Sequence, residues 1–197
     1  MELYVNGNKV DITLEGETTV GDVLKAFEEE ASKNESTTVN ILLNGENISA
    51  EKFESSLNKP LEENTKLELT VITKKDIELS FDESAKYFKT LSEQLEEIPV
   101  LLQSGKDSTV SDYIKTLANQ IDSFCHTATL SALFPESYKA IKIEEKDISS
   151  FFEELAPILK DFEDALNNKD TVTIGDLAEY EISPRLLSLS NAIAQRQ

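Results

Sequence analysis

Apolar positions along this chain change their period once. Up to residue 73 they alternate in short runs: Leu3 and Val5, then Val10, Ile12 and Leu14, later Val39, Ile41 and Leu43, and finally Leu67, Leu69 and Val71. A period of two predicts strands with one buried face. Between the second and third runs, Val20, Val23, Leu24 and Phe27 recur at helical spacing, behind Thr19 as N-cap and Asp22 three residues on. Asn6-Gly7 and Asn44-Gly45 supply residues that tolerate the positive φ of tight turns, so the first two runs form a hairpin. The predicted order is strand, turn, strand, helix, strand, strand: one sheet with one helix covering one face.

After Asp76 the pattern becomes long stripes at spacings of three and four. Ser80 with Glu83 has the form of a capping box, and Phe88, Leu91, Leu95, Ile98 and Leu102 follow, with Gly105 as a stop. A second helix carries Val110, Ile114, Leu117, Ile121, Phe124 and Ala128, and a third carries Ile148, Phe152, Leu155, Leu159, Phe162 and Leu166. A fourth runs from about Ile174 through Ile182, Leu186, Leu189 and Ile193. Displaced by 64 places, the third helix falls on the first, Phe152 on Phe88 and Leu155 on Leu91. The turns Lys106-Asp107-Ser108 and Lys169-Asp170-Thr171 then match with a one-residue shift. Two similar αα-hairpins in a four-helix bundle account for this, whether by duplication or because amphipathic hairpins resemble one another. Pro99, Pro157 and Pro184 fall inside these patterns, where each opposes a straight helix by about 3 kcal/mol. Kinks are expected at Pro157 and Pro184.

The order and patterning of residues 1–73 resemble ubiquitin and its β-grasp relatives. The segments that carry the resemblance are the opening hairpin, Leu14 to Val20, Ile41 to Gly45, and Glu63 to Leu69. The expected fold class is therefore α+β. A ubiquitin-like β-grasp domain over residues 1–75 precedes an all-α four-helix bundle over residues 80–197. The resemblance implies one sheet face uncovered by the helix, and alternation puts Tyr4, Leu42, Thr70 and Ile72 there with Glu68. In ubiquitin that face is the recognition patch, so Tyr4, Leu42 and Ile72 form the candidate interaction face. They either meet a partner or pack against the chain's own helices. One feature departs from the relatives. Thr73-Lys74-Lys75-Asp76 stands where a modifier or sulfur carrier has its terminal Gly-Gly, so neither role is expected.

Charge and rare residues narrow the function further. The net charge is −19, with −7 on residues 1–75 and −12 on the rest, and the only arginines are Arg185 and Arg196. Such a surface repels phosphate, so no nucleic acid and no anionic membrane is expected as a partner. No run is apolar and long enough to span a bilayer, and Met-Glu-Leu-Tyr lacks the features of a secretory signal. The single cysteine, Cys125, fits a reducing compartment, so a cytoplasmic location is expected. Cys125 and the single histidine, His126, are sequence neighbours about 100° apart on a helix, with no further Cys or His to complete a zinc set. Three residues before His126 lies Ser123, which removes the Glu-x-x-His pairs of di-iron bundles. Neither a nucleophilic triad nor a phosphate loop is recognisable, and the acidic pairs sit on helix polar faces. No catalytic residue, cofactor or metal is expected. A non-enzymatic protein-interaction module, an adaptor or assembly factor with an acidic surface, is the leading expectation. The alternatives are a secretion or flagellar-export chaperone, and a sensor holding a small apolar ligand between kinked helices near Pro157 and Pro184.

Overall fold

The computed structural model describes residues 1–135 and 141–196 and consists of two compact units, Met1–Asp76 and Ile77–Gln197. The first unit is mixed α/β. Its strands are β1 (Glu2–Val5), β2 (Asn8–Val10), β3 (Ser36–Leu43), β4 (Glu46–Asn47) and β5 (Lys66–Thr73), in the spatial order β2-β1-β5-β3-β4. β1 runs parallel to the central β5, and the other pairs are antiparallel. Both Asn-Gly turns adopt positive φ: Asn6 at 49° and Gly7 at 80°, Asn44 at 54° and Gly45 at 84°. The two asparagines do more than turn the chain. Asn6 accepts from the Val71 amide at 2.8 Å and donates to the Val71 carbonyl at 3.0 Å, as a strand backbone would. Asn44 accepts from the Lys66 amide at 2.8 Å. The two turns thereby hold the central strand near both its ends. β2 stops at Val10, shorter than the alternation predicts; Ile12 reaches the core from irregular chain, and Leu14 is exposed.

Helix α1 (Val20–Lys33) starts in the predicted capping box: the Asp22 amide donates to the Thr19 hydroxyl oxygen, and the Asp22 carboxylate accepts from the Thr19 amide at 2.9 Å. Its apolar stripe packs Val20, Val23 and Leu24 onto Leu3, Leu43, Leu67 and Leu69 of the sheet. Burying each such side chain contributes roughly 1.5–3 kcal/mol. A second helix, α2 (Ala50–Leu57), has no counterpart in the alternation. It lies close to α1 because Gly21 has no side chain: a Cβ there would stand 3.0 Å from the Leu57 carbonyl oxygen.

Among the described residues the second unit is helical apart from a hairpin of two two-residue strands. It contains α3 (Lys74–Glu96), which begins within the first unit, α4 (Ile98–Gln103), α5 (Asp107–Ser131), β6 (Lys142–Ile143), β7 (Lys146–Asp147), α6 (Ile148–Asn168), α7 (Thr171–Asp176), a π-helical turn (Leu177–Ile182) and α8 (Ser183–Ala194). The expected cap at Ser80 is wrong. The cap lies seven residues earlier, where Thr73 and Asp76 form the reciprocal hydrogen bonds, and Ser80 lies mid-helix with its carbonyl accepting from the Ser84 hydroxyl. Thr73-x-x-Asp76 and Ser80-x-x-Glu83 have equivalent patterns. The helix takes the first because the strand ends there.

Phe124 of α5 is the hub of the helical core, with ring centroids 5.9 Å from Phe81, 5.6 Å from Phe88 and 6.0 Å from Phe152. α8 runs antiparallel to α3. Three side-chain bonds register the pair: Ser183 to Glu96 at 3.1 Å, Ser190 to the Ala85 carbonyl at 2.7 Å, and Arg196 to Asp82 at 2.6 Å. The prolines act differently. Pro99 starts α4 after a break, Pro157 sits inside an uninterrupted α6, and Pro184 starts α8 after the π turn. Proline at 184 has no N–H to donate, and the ladder just before it widens, the Ser183 amide bonding the Ala178 carbonyl. The Arg185 guanidinium donates to the Glu181 carbonyl at 2.7 Å.

Candidate functional site

The sheet face opposite α1 carries the residues expected to form an interaction face. Tyr4 stands opposite Glu68 on one side of β5, and Leu42 stands opposite the same Glu68 on the other. Strand spacing puts Tyr4 and Leu42 roughly 10 Å apart across that glutamate. Ile72 lies four residues further along β5, roughly 13 Å from the row, with exposed Thr70 in between. All three apolar side chains are half-buried. The face thus brings Tyr4 and Leu42 together and leaves Ile72 apart.

Charge dominates that face. Lys66 places its ammonium 4.7 Å from the centre of the Tyr4 ring and 3.0 Å from the Glu68 carboxylate. The Tyr4 hydroxyl donates to Glu2 at 3.3 Å, and Glu2 is ion-paired with Lys9, the residue opposite Tyr4 on β2. The hydrogen bond from Lys9 lowers the Glu2 pKa, and the same bond raises that of Lys9. Both pairs are open to solvent, which screens them, so they add little to stability. Their local effect is to surround the ring of Tyr4 with paired charges.

A second surface lies in the helical unit and was not anticipated from sequence. The stripes of α5 and α6 are wider than the core they feed. Leu117 and Phe162 are buried as a floor, while Ile114, Ile121, Leu159 and Leu166 on the shoulders stay half-buried. Between the two helices this leaves an open apolar groove of about 490 Å³. Ala118, Asp122 and Cys125 form the outer wall on α5, and Glu163 forms it on α6; all four are exposed. The signal was present in the spacing: 114, 118, 121 and 125 form one face of α5 beside the face of 110, 117 and 124 that is buried.

The remaining candidates offer less. The crevice at Pro184, about 340 Å³, is lined mainly by charged groups with partners already: Lys146 with Glu154 at 2.6 Å, Glu144 with Ser188 at 2.8 Å. Pro157 lines neither this crevice nor the groove between α5 and α6. His126 is exposed. Burial first, and the Asp122 carboxylate second, push the Cys125 thiol pKa up, away from the thiolate a nucleophile requires. Among the described residues, no three His, Cys, Asp or Glu side chains are grouped to hold a metal ion, and no helix is long and apolar enough to cross a membrane.

Known proteins match both halves. Residues 1–73 match the family model described as the TP0873 N-terminal domain, and residues 80–192 match the one described as a domain of unknown function, DUF8042. An uncharacterized protein of Treponema pallidum (strain Nichols) is 28% identical over 193 residues, which cover 98% of this chain and 96% of that protein. The two halves are thus joined in that protein as well. No solved structure matches the chain.

Proposed function

The chain belongs to the DUF8042 family, and from the groove of its helical unit we propose that it is a non-enzymatic protein-interaction module, an adaptor or assembly factor with an acidic surface. One observation carries this reading: an open apolar groove between two helices, with exposed side chains on both flanks, a geometry that accepts a helix from another protein. The fold reading agrees with it. A strand order of β2-β1-β5-β3-β4, with β1 parallel to β5 and one long helix on one face, supports a ubiquitin-like β-grasp for residues 1–75. Four long helical segments support a four-helix bundle for residues 80–197. Tyr4 and Leu42 then act as a secondary, polar contact, with Ile72 outside it. The net charge of −19 supports a partner other than nucleic acid or an anionic membrane, and the single cysteine suits a cytoplasmic setting.

The apolar floor also favours a second reading, a sensor of a small apolar compound, because Leu117 and Phe162 would contact such a ligand equally well. Affinity capture with the full chain separates the two. The chain captures a stoichiometric protein from its native cell, and Ala118→Tyr, which fills the groove from an exposed position, loses it while Tyr4→Ser retains most of it. Retention of the same proteins by Ala118→Tyr rejects the interaction reading. Co-purification of an apolar compound that Ala118→Tyr loses, without any protein, selects the sensor. Several unfolded clients in place of one partner select the chaperone.

A further inference from the structure

Resting on that reading, we propose that the groove between α5 and α6 takes a basic amphipathic helix of a partner protein, about three turns long. Three observations converge. The first is length: from Ile114 to Cys125 the α5 wall advances eleven residues, about 16 Å at helical rise, which matches three turns of a docked helix. The second is shape. The groove opens to solvent along both walls, with Ala118, Asp122, Cys125 and Glu163 exposed, so it suits an elongated occupant better than an enclosed small molecule.

The third is charge. α5 and α6 together carry eight carboxylates and two lysines, and one of the lysines, Lys160, is already paired with Asp164 at 3.3 Å. Asp122 stands on one wall and Glu163 on the other, and among the described residues neither makes an ion pair. Lysines or arginines flanking the apolar stripe of an incoming helix would meet a carboxylate on each side, which steers association and fixes orientation. The same charge opposes a second copy of this chain, since two acidic walls would face each other. It equally opposes an anionic lipid surface.

The test uses the full chain and three fluorescent sixteen-residue peptides. One carries leucines at helical spacing flanked by lysines, the second replaces the lysines by glutamates, and the third scrambles the order of the first. Anisotropy reads affinity. Cys125, the only thiol in the chain and part of the groove wall, reports location through its rate of alkylation at alkaline pH. The lysine peptide is expected to bind about tenfold or more tighter than the other two, to weaken as salt rises, and to slow alkylation of Cys125 severalfold. Asp122→Lys/Glu163→Lys, at two exposed positions, is expected to invert the preference between the lysine and glutamate peptides with an unchanged melting temperature. Equal affinity for all three peptides, no binding, or binding that leaves Cys125 as reactive as before overturns the proposal. So does protection of Cys125 by an apolar dye alone. A silent lysine peptide alongside a native partner lost in Ala118→Tyr ends this inference and leaves the interaction reading standing.

Discussion

Tyr4 on the sheet of the first unit and Leu159 in the groove of the helical unit are both half-buried apolar side chains, yet their neighbours differ in kind. Around Tyr4 stand Lys66, Glu68, Glu2 and Lys9, paired among themselves, with the Lys66 ammonium over the ring and Glu2 accepting from the hydroxyl. Around Leu159 stand Leu166, Ile121 and the floor of Leu117 and Phe162, with the carboxylates at the rim unpaired. A surface whose charges are already partnered gains little from a charged visitor, since each new contact replaces an old one. A surface with apolar shoulders and free carboxylates has no existing pairs to break, so a complementary helix need only replace the hydration of its charges. Exposure alone would have ranked the two surfaces together. The state of the neighbouring charges separates them.

The largest expected effect separates floor from wall. Phe162→Ala removes a buried ring and is expected to cost about 3–5 kcal/mol of stability, read by urea unfolding, whereas Leu159→Ser on the shoulder costs about 1–2 kcal/mol. Equal losses would mean that the shoulder is core and that the groove is not a surface. On the sheet, Leu42→Asp puts a second carboxylate directly opposite Glu68, and a loss of about 1–2 kcal/mol is expected from like charge and lost burial. A loss of several kcal/mol would show Leu42 to be part of a core, and the sheet face would cease to be a surface.

Acid is expected to treat the two regions alike, because each caps helices with aspartate. The Thr18 amide, the Thr19 hydroxyl and the Thr19 amide hold the Asp22 pKa down from 3.8 to about 2. Asp147 and Asp170 are lowered by their own caps in the helical unit. A depressed folded pKa contributes stability that is complete above the unfolded value and is lost as pH falls through the folded one. Melting temperature should therefore fall between about pH 4 and pH 2, and Asp22→Asn should flatten part of that decline. An unchanged slope in Asp22→Asn would place the acid sensitivity elsewhere. The smallest effect is Lys66→Met, expected to change stability by less than about 1 kcal/mol while uncovering the Tyr4 ring. If that variant begins to capture the protein that the groove holds, the contrast between the two surfaces fails.

Much of the fold was legible because its signals are local. Thr19 with Asp22 capped α1 as expected, Gly105 follows the end of α4 with φ of 71°, and both Asn-Gly pairs turned the chain. Other features had no local signature. Ser80 and Thr73 offered equivalent caps, and only the end of β5 chose between them. The repeated turns near Lys106 and Lys169 match in sequence but not in cap. Asp170 bonds Thr173 in the second, while Lys106 precedes α5 in the first with no side-chain cap bond. The role of Asn6 and Asn44 in holding β5 depends on a strand that lies some 65 and 22 residues away in sequence.

By itself the sequence determined the order of the main strands and helices and which stripe of each turns inward, because turn residues and periodicity are settled by residues within a few positions of one another. It also determined the acidity of the surface and the scarcity of metal-ligating residues. The tertiary structure alone decided which edge of a stripe stays open. Ile114 and Ile121 on α5, and Leu159 and Leu166 on α6, differ from Leu117 and Phe162 only in how far a packed helix reaches around them. That reach follows from how the helices cross, a property of pairs distant in sequence that no local rule encodes.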